Sequence, residues 1–193
     1  MLGCVQGNPG EAGMKSRAIA WGLLSMLALP AWAGELQPRP EVGEIPPQQL
    51  GKQFGGDKID LGQYRGKVVI VTFWASWCGP CRQELPVLAH FRKVVGADAL
   101  EVIAINFKEP REDFHSVVRA NRDKFEMVYV HDSRGDVSNQ YGVKALPNMF
   151  IIDRDGKVAA RHMGYSQESL PGFVNEIIAL LPEEIRTRPA RGS

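Results

Sequence analysis

Residues 67–74, KVVIVTFW, form a near-continuous β-branched and aromatic run. Such a run predicts a strand covered on both faces, because a half-exposed strand would alternate with polar residues. The apolar spacing then changes: Leu85, Leu88, Phe91 and Val95 recur at helical intervals after Cys78. A second unbroken run, EVIAINF at 101–107, predicts another buried strand, so this stretch reads as β, α, β with a right-handed crossover. Residues 111–125 are a helix candidate, 126–132 (EMVYVHD) a strand, and 134–142 (RGDVSNQYG) a short helix ended by Gly142. The segment 148–164 reads as a hairpin turning at Asp155-Gly156, and 167–181 as a closing helix. Upstream, 52–54 and 58–61 flank Gly55-Gly56-Asp57 as a further hairpin, preceded by a proline-rich, extended lead-in over 34–50. The polar tail 183–193 is expected to be disordered. No internal repeat is visible.

The amino end carries an address. From Met14, the expected start, Lys15 and Arg17 precede an apolar run over 18–29, a break at Pro30, and Ala31-Trp32-Ala33. This is the layout of a secretory signal cleaved after Ala33, although an uncleaved anchor stays open. The apolar run is shorter than the roughly 18 residues of a spanning helix. Removing 1–33 takes Lys15, Arg17 and Glu11 from the 23 basic and 22 acidic side chains, which leaves 21 of each. That balance provides no electrostatic footprint for nucleic acid. The chain is expected to be exported. One domain, residues 51–182, is long enough to bury a proper core without a disulfide staple.

Of three cysteines, Cys4 would leave with the signal, so Cys78 and Cys81 in FWASWCGPCRQE are the only mature thiols. A staple across two residues closes too small a loop to stabilise much. A four-thiolate zinc site is excluded, and the four histidines are scattered without ligand spacing. Cys78 stands where a central strand hands over to a helix, at the carboxyl end of the sheet, where open α/β folds place their chemistry. The helix N-terminus stabilises a thiolate there, and Pro80 suits the first turn because its missing N–H is not needed. Cys78 is therefore expected to attack and Cys81 to resolve.

FWASWCGPC, together with GVKALP ending at Pro147, resembles the thioredoxin superfamily, and the Gly79-Pro80 pair is that of thioredoxin itself. The extra residues 110–131, the hairpin before RGK, Glu84 in CRQELP, and FIIDRDGKV are similar to the TlpA/ResA-like periplasmic thiol-disulfide oxidoreductases. The similarity covers about residues 42–181. It implies a thioredoxin-like α/β fold: a central mixed sheet flanked by helices, with an N-terminal hairpin and an inserted helix-strand unit. It implies a cis Leu146-Pro147 peptide beside the thiols, and a substrate surface made by Trp77, Gly79, Pro80 and Leu146. One position departs from thioredoxin, whose buried aspartate six residues before the first cysteine is here Thr72. Glu84 matches the family's acidic residue three positions after the second cysteine, and is expected to take the acid/base role; the competing reading is a glutamate favoured by the helix dipole.

The resemblance implies a disulfide reductase for exported proteins, in cytochrome c maturation or copper-site assembly. No cofactor is expected beyond the Cys78–Cys81 dithiol itself. In an oxidising compartment a reductant needs re-reduction, so a membrane thiol reductant of the DsbD/CcdA type is the expected partner. Two alternatives stay open: a Cu(I) carrier using the soft CxxC pair, and a thiol oxidase. A peroxidatic cysteine of the peroxiredoxin kind would have proline seven residues before it and threonine or serine three before it. Val71 and Ala75 stand there.

Overall fold

The structure is a computed structural model and describes residues 39–188. The signal reading and residues 189–193 lie outside the described residues. Strands β1 (Gln49–Lys52) and β2 (Lys58–Asp60) form an antiparallel hairpin with Lys52 opposite Lys58. The first arm starts three residues before the expected 52. Leu50, placed by the sequence reading in the lead-in, is fully buried together with Ile59, and that burial decides where the strand begins. At the tip, Gly55 and Gly56 take φ of 117° and 112°, conformations that side chains with a Cβ resist. The lead-in is extended but fastened: Gly43 N–H donates to the Val158 carbonyl at 2.8 Å, and Val158 N–H to the Glu44 carbonyl at 2.9 Å.

The remaining strands are β3 (Val68–Trp74), β4 (Leu100–Phe107), β5 (Val128–Asp132), β6 (Asn148–Ile152) and β7 (Val158–Met163). They form one sheet in the order β5-β4-β3-β6-β7, with β3, β4 and β5 parallel and β6 and β7 antiparallel. Every residue of β3 is buried, as the unbroken apolar run requires for a central strand. Val69, Val71 and Phe73 face one side with Ile103, Ile105 and Phe150, covered by Leu50 and Ile59 of the hairpin and by Val137 and Tyr141. Val137 lies on the short helix α3 (Asp136–Gln140).

The other face, Val68 and Ile70 with Val102 and Ile151, receives Leu88 and Val95 of α1 (Gly79–Val95) and Phe173 and Ile177 of α4 (Leu170–Leu180). The insertion supplies α2 (Arg111–Asn121) and β5, and Phe114 and Val118 of α2 pack into a third cluster with Trp74, Cys78, Cys81 and Leu85. The helix was expected to reach residue 125 and ends at Asn121.

The tail is a correction. Residues Glu183–Arg186 form one further helical turn, α5, rather than a disordered start to the tail. Pro182 precedes it, Ile185 packs on the Leu181 cluster, and Arg188 pairs with Asp98 at 3.2 Å. Its polar composition hid a single apolar anchor.

Candidate active site

Strand β3 delivers the chain to the carboxyl end of the sheet, and a three-residue loop, 75–77, carries it into α1. Cys78 is the N-cap of that helix, with φ −80° and ψ 104°, and its Sγ accepts the Cys81 N–H at 3.2 Å. An N-cap side chain that accepts an otherwise unpaired N–H is what a helix start favours; here the acceptor is sulfur. Cys78 and Cys81 are joined as a disulfide with Cα atoms 5.3 Å apart, within the usual range for this bond. Cys81 is fully buried and Cys78 retains 4 % exposure. Pro80, in the first turn, is exposed, Gly79 is half-buried, and Trp77 stands 68 % exposed beside them.

The Leu146-Pro147 peptide is cis. Asn148 pairs with Phe73 across β3 and β6, so Pro147 lies level with the end of β3 where the thiol loop departs. Leu146, half-buried, packs against the cluster that holds both cysteines. The fold thus gathers Trp77, Cys78, Gly79, Pro80, Leu146 and Pro147 at one end of the sheet.

Glu84 lies in the second turn of α1 and is only 2 % exposed, unlike a glutamate held near a helix start by the dipole. Its position three residues after Cys81 puts the two on one helix face. Thr72 Oγ1 donates to Glu84 Oε1 at 2.6 Å. Burial pushes the Glu84 carboxyl up to about 7, and the Thr72 hydrogen bond holds it below what burial alone would give. Thr72, the departure from thioredoxin, therefore occupies the aspartate's position as a donor to a carboxylate that arrives from the helix instead.

A second carboxylate borders the loop and escaped the sequence reading. Glu109, between β4 and α2, accepts the Ser76 N–H at 2.8 Å and the Ser76 hydroxyl, and also a hydrogen bond from the Asn106 side-chain amide. The only signal in the sequence is an acidic residue just after a buried strand, which does not reveal a partner 33 positions upstream. Two of the histidines have partners of their own: His162 pairs with Glu176 at 2.6 Å, and His131 donates to the Glu109 carbonyl at 2.9 Å. Among the described residues no group of three His, Cys, Asp or Glu side chains could hold a metal ion.

Comparison with known proteins agrees with this geometry. Residues 42–161 match the AhpC/TSA family. The thiol-disulfide oxidoreductase ResA of Bacillus thuringiensis subsp. konkukian is 31% identical over 138 residues, which are 71% of this chain and 79% of that protein. The thioredoxin-like protein YneN of Bacillus subtilis is 35% identical over 124 residues, covering 63% of this chain and 71% of its own. A crystal structure from Chlorobium tepidum, assigned as a thiol:disulfide interchange protein DsbE, superposes with a TM-score of 0.67 at 31% identity, over 73% of this chain and 98% of that one. A strand-to-helix dithiol, a cis proline at the same sheet end and these relatives converge: the chain belongs to the AhpC/TSA family and, within the thioredoxin superfamily, is a thiol-disulfide oxidoreductase of the TlpA/ResA-like kind.

Proposed function

We propose that this protein reduces disulfides in exported proteins through Cys78 and Cys81, and that Cys78 is the attacking thiol. The observation that carries the assignment is the asymmetry of the pair: Cys78 caps the helix with its sulfur on a backbone N–H next to the exposed Trp77, while Cys81 is fully buried one turn inward. A backbone donor and the positive end of α1 favour a thiolate on Cys78. In the reduced protein that thiolate attacks one sulfur of the substrate disulfide and expels the other as a thiolate, forming a mixed disulfide. The Cys81 thiolate then attacks the Cys78 sulfur and releases the second substrate thiolate. Two electrons pass to the substrate, and the protein is left as the Cys78–Cys81 disulfide.

Glu84, buried on the helix face it shares with Cys81 and with an affinity for protons near neutrality, is suited to take the Cys81 proton as that thiol becomes the nucleophile. Trp77, Gly79, Pro80 and Leu146 would form the surface that meets the substrate, with the backbone at Pro147 offering main-chain pairing to an extended segment. A leader at 1–33 would send the chain to the periplasm. A membrane thiol reductant of the DsbD/CcdA type would restore the dithiol, and cytochrome c maturation or copper-site assembly are the candidate pathways.

The test is covalent trapping. Cys81→Ala leaves Cys78 able to form a mixed disulfide that nothing resolves, so adducts with exported proteins should accumulate. Trapping by Cys78→Ala but not by Cys81→Ala would reverse the two roles, and trapping by neither would remove the reductase reading.

A further inference from the structure

The loop that presents Cys78 is restrained from outside by one carboxylate. Ser76 lies two residues before Cys78, and both of its donors, the backbone N–H and the hydroxyl, end on Glu109. Glu109 is 5 % exposed and is itself held twice. The Asn106 amide at the end of β4 donates to its side chain, and His131 of β5 donates to its main-chain carbonyl. His131 is in turn stacked on Phe114 of α2, with ring centroids 4.7 Å apart and planes 5° from parallel. Strand β4, helix α2 and strand β5 therefore meet at Glu109, and Glu109 meets the thiol loop.

With the Cys78–Cys81 bond closed, the loop is also tethered covalently to α1 through Cys81. Once the bond opens, that tether is gone, and the noncovalent contacts to Ser76 remain to fix where the chain enters Cys78. We propose that Glu109 is a positioning residue: it holds the Ser76-Trp77 segment against β4, with the inserted α2–β5 unit as its abutment, so that Cys78 keeps its place at the start of α1 in the dithiol state. A held loop keeps the two sulfurs at high effective concentration, which favours closing the disulfide and speeds resolution of a mixed disulfide. The inference rests on Cys78 and Cys81 being the reacting pair.

The experiment measures the equilibrium of the protein disulfide plus two glutathione molecules with the protein dithiol plus oxidised glutathione. It is read for wild type, Glu109→Ala, Glu109→Gln, Ser76→Ala and the Ser76→Ala/Glu109→Ala pair, each checked for folding by thermal unfolding. Glu109→Ala should weaken the protein disulfide about tenfold, equivalent to about 30 mV for a two-electron couple, and should slow resolution of a glutathione adduct by a similar factor. Glu109→Gln, which keeps an acceptor oxygen for the Ser76 N–H, should recover most of both. In the Ser76→Ala background the effect of Glu109→Ala should shrink, because the two residues act through one contact. A Glu109→Ala protein with lowered thermal stability but wild-type equilibrium and resolution rate overturns the proposal, since that is what a merely structural carboxylate would do. If that variant fails to fold, Ser76→Ala decides: it should weaken the protein disulfide and slow resolution, and unchanged exchange in it overturns the proposal. A wild-type protein that does not exchange with glutathione at all would instead overturn the assignment of the reacting pair.

Discussion

Replacing Glu84 with glutamine should stabilise the oxidised protein at neutral and alkaline pH while leaving it unchanged in acid. The carboxyl is carried from its ordinary 4.5 up to about 7 by burial. Each pH unit separates the two protonation states by about 1.36 kcal/mol, so the difference is about 3 kcal/mol. Its sign follows from proton counting. Below pH 4.5 the group is protonated whether the chain is folded or unfolded, and it adds nothing to the pH dependence. Between 4.5 and about 7 the folded chain holds a proton that the unfolded chain has released, so stability falls as pH rises. Above that window the whole penalty is present. Glutamine has nearly the same shape, keeps an oxygen for the Thr72 hydroxyl, and has no charge to bury. Urea unfolding with the disulfide intact should give matching midpoints near pH 4.5, and by pH 8.5 a Glu84→Gln midpoint about 1–2 M higher. Parallel pH profiles for the two proteins would refute the reasoning, because they would mean that the Glu84 carboxylate is not desolvated.

Thr72→Val keeps the shape of the side chain but removes the donor, so Glu84 should titrate higher still; stability at pH 8 should drop by about 1.5–3 kcal/mol, the worth of a hydrogen bond to a charged group, with a much smaller loss at pH 4.5. Trp77→Ala, at a 68 % exposed position, should change the urea midpoint little, and it should slow reduction of protein disulfides more than of glutathione disulfide, as read by the two rates side by side. Alkylation trapping in intact cells should find Cys78 and Cys81 reduced, and oxidised once the membrane reductant is removed. The Gly79-Pro80 pair is that of thioredoxin, whose potential lies at about −270 mV against about −120 mV for the oxidant DsbA, and a permanently oxidised pair with a DsbA-like potential would make the protein an oxidase.

What could be read from the chain was what is local. The run at 67–74 and the helical spacing after Cys78 state their own environments, since a strand buried on both faces has no polar alternation to confuse it and an amphipathic helix repeats its buried face. Those two features alone place Cys78 at a helix start. The hairpin was displaced because Leu50 follows a proline-rich stretch, and nothing in that stretch indicates that it packs against Ile103 and Val130. Thr72 is visible in the sequence only as a departure from thioredoxin's aspartate; its use as a donor to Glu84 depends on which face of α1 turns inward. Glu109 was invisible for a stronger reason. Its partner Ser76 belongs to another crossover, and only the parallel pairing of β3 with β4, which sets Trp74 opposite Asn106, brings the two loops together.

The fastened lead-in has a consequence for how the molecule behaves among its neighbours. A sheet border is a row of unused donors and acceptors that invites another chain to add itself. Here the β7 border is occupied at Val158 by the 43–44 backbone, and Arg161 reaches out to the Pro40 carbonyl and to Glu41. On the far side, Phe54 N–H donates to the Tyr129 carbonyl and Gln53 bridges Val130, so the hairpin occupies the β5 border. Each flank is therefore covered in part by the segment that precedes the sheet, at Val158 on one side and at Tyr129 and Val130 on the other. A thiol-disulfide oxidoreductase works by transient covalent capture, and the cover at these positions makes lasting noncovalent capture by strand addition less favourable there.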